Sequence, residues 1–517
     1  MAKIERTKNA SRNILFGGML KLYQIAVPFL MRTAMIYFMG VQYLGLSSLF
    51  TSILQVLNLA ELGVGSAMVY SMYKPIAEDD ANKICALMRL YRTYYRVIGL
   101  VIAVIGVALT PFIPKLINGD VPGELNVYIL YFLNLGVTVL SYWLFAYKNC
   151  LLFAHQRTDL SSKVSLAVMS FQYFLQLAVI IFIGDYYLYL IVHLISQVLI
   201  NVVTAVVATK MYPQYKPSGK IDVESKKTIN GRIKDLFTAK LGMVIVNSVD
   251  TVVISAFLGL TILAVYQNYY FIMTAVIGLM TVIFQSCTAG IGNSVIVETK
   301  EKNFSDFKKF TMLISWVSGI CTCCFLCLYQ PFMELWVGKD LMLSFSVVIC
   351  FCIYYFVYEI NQLINTYKDA AGMWHEDRWR PIVTAFLNLA MNLIMVQFWG
   401  IYGVLLSTVL SMVFVGMPWL IHNVFTVVFE RKQLLGYLKT LFFYVIIVAI
   451  SCFVCGFICS FINLSILVTL IVRGIVCVIV PNIIYLVAFR KKKEFKGCIK
   501  LLDKMTKGKL KLEKRLS

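Results

Sequence analysis

The sequence predicts an all-α, polytopic membrane protein of about fourteen transmembrane helices, and three observations carry that prediction. Sixty per cent of the 517 residues are hydrophobic and 14% are charged, which leaves too little polar surface to wrap a soluble globule of this length. Apolar stretches of membrane-crossing length recur from end to end of the chain. Lys and Arg gather in every second gap between those stretches, as expected where short loops that carry them stay on the cytoplasmic side.

The basic gaps run Lys74–Arg96, Lys148–Lys163, Lys210–Lys240, Lys300–Lys309, Lys368–Arg380 and Arg431–Lys439, and the tail Arg490–Arg515 adds twelve more basic residues. The intervening gaps hold only Lys115 and Lys339, with Asp120, Glu124, Asp185, Glu334 and Asp340. This alternation predicts that both termini face the cytoplasm, and a cell (plasma) membrane location is expected. The basic start Lys3, Arg6, Lys8, Arg12 runs into an apolar stretch too long for a signal-peptide core, so the first helix serves as its own signal-anchor. The net charge of +21 is the product of this asymmetry and of attraction to anionic lipids, not a nucleic-acid footprint.

In chain order the spans fall near residues 12–39, 42–72, 96–117, 125–153, 162–184, 186–209, 233–257, 260–293, 310–333, 342–367, 381–398, 402–428, 438–461 and 466–489. The stretch from Tyr212 to Asp235, with Pro213, Pro217 and Gly219, reads as a linker between two groups of six helices. The organisation expected is a six-helix lobe over 1–211, a cytoplasmic linker over 212–232, a second six-helix lobe over 233–436, an added helix pair over 437–489 and a basic cytoplasmic tail over 490–517. In the tail, Phe495, Cys498, Ile499, Leu502 and Met505 recur at helical spacing, the pattern of an interfacial helix on an anionic leaflet.

The two groups resemble each other. Shifted by 219 residues, Lys21-Leu22 falls on Lys240-Leu241, Phe38 on Phe257, Gly40 on Gly259 and Leu44 on Leu263; shifted by 220, Tyr147-Lys148-Asn149 falls on Tyr367-Lys368-Asp369 and His155 on His375. An offset of six spans makes the repeats parallel, with a cavity expected between the lobes.

Several runs carry a resemblance to a known family: Gly40-Val41-Gln42-Tyr43-Leu44-Gly45-Leu46, Leu57-Asn58-Leu59-Ala60-Glu61-Leu62-Gly63-Val64-Gly65-Ser66-Ala67, Tyr147-Lys148-Asn149 through His155-Gln156-Arg157, and Asn388-Leu389 to Gly400-Ile401-Tyr402-Gly403-Val404. Across essentially its whole length the chain resembles the polysaccharide flippases of the multidrug/oligosaccharidyl-lipid/polysaccharide flippase superfamily. The resemblance implies movement of an undecaprenyl-pyrophosphate-linked oligosaccharide from the cytoplasmic to the outer leaflet, for capsule, O-antigen or another surface polysaccharide. Polysaccharide polymerases and glycosyltransferases are then the expected partners. The same superfamily contains lipid II flippases and cation-coupled multidrug antiporters.

Charges within apolar spans are costly against lipid and point to a cavity or a partner. They are Lys21, Arg32, Glu61, Asp250, Glu359 and Arg473. Lys21 and Arg32 are eleven residues apart on one face of the first helix and suit a diphosphate; the other reading is that they neutralise Glu61, Asp250 or Glu359, or that Lys21 reaches back to the cytoplasm. Asp250 sits at the repeat-matched depth opposite Arg32, one position from Thr251, and reads as a gating partner, as an ion site, or as one half of a static pair with Lys240. Tyr355, Glu359, Gln362 and Thr366 form a polar seam, widened by Tyr354, Tyr358, Asn361 and Asn365, which is either a glycan-facing wall or helix-to-helix hydrogen bonding. Gly63, Gly65, Gly290 and Gly292 read as positions of close helix approach or bending.

The fourteen cysteines, with Cys321, Cys323, Cys324 and Cys327 in one span and Cys452, Cys455 and Cys459 in another, read as small buried hydrophobes, so no metal site and no cofactor are expected. No Walker sequence, nucleophile constellation or large hydrophilic loop appears, which disfavours an ATP-driven pump and a membrane polysaccharide polymerase. A multidrug antiporter shares the fold and remains the alternative, with Lys21 and Arg32 favouring an anionic lipid substrate.

Overall fold

A computed structural model describes residues 6–61, 63–119, 121–122 and 125–505. Asp120, Glu124 and the tail beyond Met505 therefore lie outside the described residues. The chain is all-α among the described residues, and it is a multi-pass membrane protein. Its helices are α1 (Arg6–Phe38), α2 (Val41–Leu57), α3 (Val64–Ala77), α4 (Ala81–Leu109), α5 (Val127–Trp143), α6 (Asn149–Ala154), α7 (Thr158–Ala178), α8 (Tyr186–Met211) and α9 (Val223–Leu258). The series continues with α10 (Leu260–Val297), α11 (Lys300–Val337), α12 (Phe345–Ala370), α13 (Arg380–Trp399), α14 (Ile401–Ser411), α15 (Met417–Val427), α16 (Leu434–Ser460), α17 (Ile466–Phe489) and α18 (Lys493–Met505).

Each of the fourteen expected spans falls on one of these helices or on a pair of them. Among the described residues ten helical stretches are long and apolar enough to cross a membrane, or eleven if α5 and α6, bent by 46°, count as one. Helix starts follow from short polar side chains that accept backbone N–H groups otherwise left without partners. Asp80 accepts from Lys83 N, Asn126 from Tyr128 N and Ile129 N, Asp185 from Leu188 N, and Asp222 from Ser225 N.

The expected span 42–72 is not one helix. It divides into α2 and α3 at a 3₁₀ turn, Asn58–Glu61, followed by Gly63 at φ +87°, a left-handed conformation that ends the helical path. A Cβ at Gly63 would stand 2.5 Å from Leu236 Cβ, so this turn packs tightly against α9.

The chain divides into two compact units, Met1–Ala264 and Val265–Ser517, so α9 packs with the first unit and the division falls inside α10. In the first, α1 packs on α7, α7 and α5 on α8, α4 on α5, and α9 on α2 and α3. In the second, α11 is the hub, covered by α12, α16, α17 and α18. The added pair α16–α17 is tied to α11 by Tyr485 Oη donating to Ser315 O at 2.9 Å and Trp316 Nε1 donating to Asn482 Oδ1 at 3.1 Å. The tail forms α18, but Phe495, Cys498 and Ile499 are buried against the second unit instead of facing lipid. Phe495 stacks near Trp316 at 5.5 Å, and Lys308 pairs with Glu494 at 3.0 Å.

Candidate functional site

A cavity of about 670 Å³ opens in the first unit between α3, α4, α6, α7 and α8. The break after α2 positions its carboxylate: Glu61 ends the 3₁₀ turn and lines the cavity. Two tyrosines four residues apart on α4 share one face and face Glu61 together. Tyr91 donates its hydroxyl to Tyr95 Oη, and Tyr95 Oη donates to Glu61 Oε1 at 3.1 Å. Tyr142 packs edge-on against Tyr95, centroids 5.3 Å apart, and donates to Asn58 Oδ1 at 3.2 Å, so the unwound turn is held from α4 and α5 alike.

Amides complete the lining. Asn201 on α8 donates to Ser141 O at 2.9 Å, while Asn149 presents a buried Oδ1 with no hydrogen-bond partner. At the rim, Tyr70 and Tyr73 are exposed, and the guanidinium of Arg232 on α9 lies 4.6 Å over the Tyr70 ring. Aromatic faces, neutral amides and one carboxylate, with a cation at the mouth, can stack on sugar rings and hydrogen-bond hydroxyls.

The six residues read from the sequence as substrate-binding are not among those lining this cavity. Lys21 is exposed on α1. Arg32, half-buried on the same helix, lies near Tyr189 of α8. Asp250 is 5% exposed on α9. Tyr355, Glu359 and Gln362 are brought together on one face of α12, inside the second unit. Tyr355 and Glu359 are fully buried, and among the described residues the two Glu359 carboxyl oxygens have no hydrogen-bond partner. Gln362 accepts from Asn365 Nδ2 at 3.4 Å, and Asn365 Oδ1 accepts from Arg380 Nη2 at 2.9 Å, so the seam runs into the buried Arg380–Asp377 ion pair. Of the intramembrane charges noted in the sequence, Glu61 is the one that lines the cavity. Tyr91, Tyr95, Asn149 and Asn201 were not singled out; the available signal was the pair Tyr91 and Tyr95 at i, i+4 beside the Tyr147-Lys148-Asn149 repeat match.

These features define a class: a multi-pass all-α membrane protein with a polar, aromatic cavity inside one helical unit. No family model and no curated protein matches the sequence. Solved structures do match the fold. "Lipid II flippase MurJ, inward closed conformation" aligns with 92% of this chain and 99% of its own at a TM-score of 0.66 and 14% identity. An inward-facing multidrug resistance MATE family transporter of the MOP superfamily aligns with 82% of this chain and 99% of its own, at a TM-score of 0.60 and 14% identity. The chain thus has the fold of MOP-superfamily transporters.

Proposed function

We propose that this protein is a flippase that carries an undecaprenyl-pyrophosphate-linked oligosaccharide from the cytoplasmic to the outer leaflet of the plasma membrane, with both termini cytoplasmic. The observation that carries the reading is the first-unit cavity, where Tyr70, Tyr73, Tyr91, Tyr95, Asn149 and Asn201 offer stacking faces and amides and only Glu61 offers a carboxylate. Such a lining can stack on sugar rings and hydrogen-bond their hydroxyls, and its tyrosines around one carboxylate also suit a lipophilic cation. Arg232 at the rim supplies positive charge for a diphosphate, and Lys21 and Arg32 on α1, away from the cavity lining, are proposed as further diphosphate contacts on its path. In this reading the head group enters the cavity while the polyprenyl chain stays in lipid, and the units alternate access without making or breaking a bond. The pairing and release of Arg32 and Asp250 belong to the same proposal, as does a glycan-facing role for Tyr355, Glu359 and Gln362.

Cation-coupled multidrug antiport is the second reading. It is favoured by Glu359, a fully buried carboxyl without a hydrogen-bond partner, which suits a coupling proton or cation. Deletion of the gene followed by lipid analysis separates the two. Accumulation of lipid-linked oligosaccharide on the cytoplasmic side, reversed by the wild-type gene and not by Tyr91→Ala, is the expected result. Normal lipid distribution with increased drug sensitivity would replace the flippase with the antiporter.

A further inference from the structure

Three helices of the second unit bring seven cysteines to one place: Cys323, Cys324 and Cys327 from α11, Cys452, Cys455 and Cys459 from α16, and Cys477 from α17. Within this group the sulfurs of Cys327, Cys459 and Cys477, one from each helix, all lie within 4.8 Å of one another. All three residues are buried. The approach is close elsewhere too, since Cys323 Sγ is 3.6 Å from Cys452 Sγ and Cys477 Sγ is 3.4 Å from Cys323 O. Packing of small apolar side chains accounts for cysteine in each helix taken singly. It gives no reason for sulfurs from three helices to converge beside a cation.

That cation is Arg473, one turn before Cys477 on α17. Its Nη1 donates to Cys327 O at 3.4 Å and its Nη2 to Ile462 O at 3.2 Å, while its Nε is buried with no partner. The guanidinium is thus anchored at the backbone of one of the three cysteines and still has a donor to give. We infer that Cys327, Cys459 and Cys477 form a trithiolate site for a divalent d¹⁰ metal ion, zinc or cadmium in class, which fastens the added pair α16–α17 to α11.

Two arguments select this ligand. At a metal–sulfur bond of about 2.3 Å, tetrahedral geometry puts sulfurs about 3.8 Å apart, so closing from 4.8 Å asks only for small side-chain rotations. Charge also balances. Three thiolates with a divalent ion carry one net negative charge, and the Arg473 guanidinium cancels it, which matters because an unpaired charge is costly away from water. A monovalent soft ion with three thiolates would leave one negative charge uncancelled. Binding releases three thiol protons, and the site lies beside the short α16–α17 connection, since Cys459 is next to the last residue of α16 and Arg473 reaches Ile462 within that connection.

The test uses the purified full-length protein in detergent, loaded with zinc or cadmium under reducing conditions and desalted. One equivalent of metal per chain and a cadmium–thiolate charge-transfer absorption are expected. Both should fall at least tenfold in Cys477→Ser and in Cys327→Ser, and both should persist in Cys498→Ser, which lies outside the cluster. Wild-type protein should also lose thermal stability when a strong chelator strips the ion, a readout independent of how the variants fold. Absence of stoichiometric metal and of the absorption band in the wild type overturns the site. So does retention of copper(I) alone, which contradicts the charge balance, or equal retention by Cys477→Ser, which marks the metal as adventitious.

Discussion

The amides of Gly40 and Gly259 reach back five residues in the same way, to Met35 O at 2.9 Å and to Ile254 O at 3.1 Å, each glycine at a positive φ of +115° and +90°. These are the two positions that a shift of 219 residues superimposes in the sequence. The ends of α1 and α9 therefore close with one piece of backbone geometry, used twice.

Alanine at either position should destabilise the protein by about 1–3 kcal/mol, the cost of holding a side chain in that backbone region. The two effects should differ. Around Gly40 the nearest atom to a new Cβ would be Tyr43 at 4.0 Å, whereas at Gly259 it would meet Asn118 O at 2.8 Å. Thermal unfolding in detergent should place Gly259→Ala below Gly40→Ala.

Asn149→Leu should separate stability from transport. Its Oδ1 is buried without a partner, so an apolar replacement should stabilise the unit by about 1–3 kcal/mol. Loss of the amide from the cavity wall should at the same time reduce export of surface polysaccharide. A stabilised variant with full export would remove Asn149 from the site.

Removal of Asp377 leaves Arg380, paired at 2.7 Å with only 8% of its side chain exposed, as an uncompensated charge. Asp377→Ala should cost about 3–5 kcal/mol, and adding Arg380→Met should restore most of it. Glu78→Ala, which breaks the exposed Lys74–Glu78 pair, should change stability by less than about 1 kcal/mol. Denaturation of the four proteins side by side checks both statements.

His155 stacks on Tyr212 with ring centroids 4.2 Å apart, and burial holds its pKa below the ordinary histidine range. The folded state then binds fewer protons than the unfolded one. The stabilisation is present above the ordinary value of about 6.5 and is lost as pH falls below it. Proteolysis of the 212–222 segment should accelerate between neutral pH and about pH 5. His155→Phe, which keeps a ring to stack, should flatten that dependence.

Charge alternation and apolar length made the membrane class and the helix positions legible, because both are sums over many residues. The break at Asn58–Gly63 was not legible. No proline marks it, and Gly63 reads in the sequence equally as a close-approach or a bending position, without fixing which. The same holds for α18, whose apolar face at Phe495, Cys498 and Ile499 reads identically whether it meets lipid or Trp316. The first-unit cavity is not legible in the sequence for a related reason. Charge inside an apolar span is conspicuous in a sequence, while neutral Tyr91, Tyr95 and Asn149 acquire their role only when α3, α4 and α6 assemble around Glu61.

Asn13, near the start of α1, donates to Gln156 O at 3.0 Å and accepts from Asp159 N at 2.8 Å, beside a carboxylate already paired with Arg157 at 2.9 Å. Arg157 and Asp159 are neighbours in the chain and can join as soon as both are synthesised. Asn13 must wait for partners made 143 and 146 residues later. This end of α1 is therefore held by contacts that can form only after the chain has reached α7. The clasp closes late: the start of α1 is joined to the turn between α6 and α7 only once Asp159 has been made.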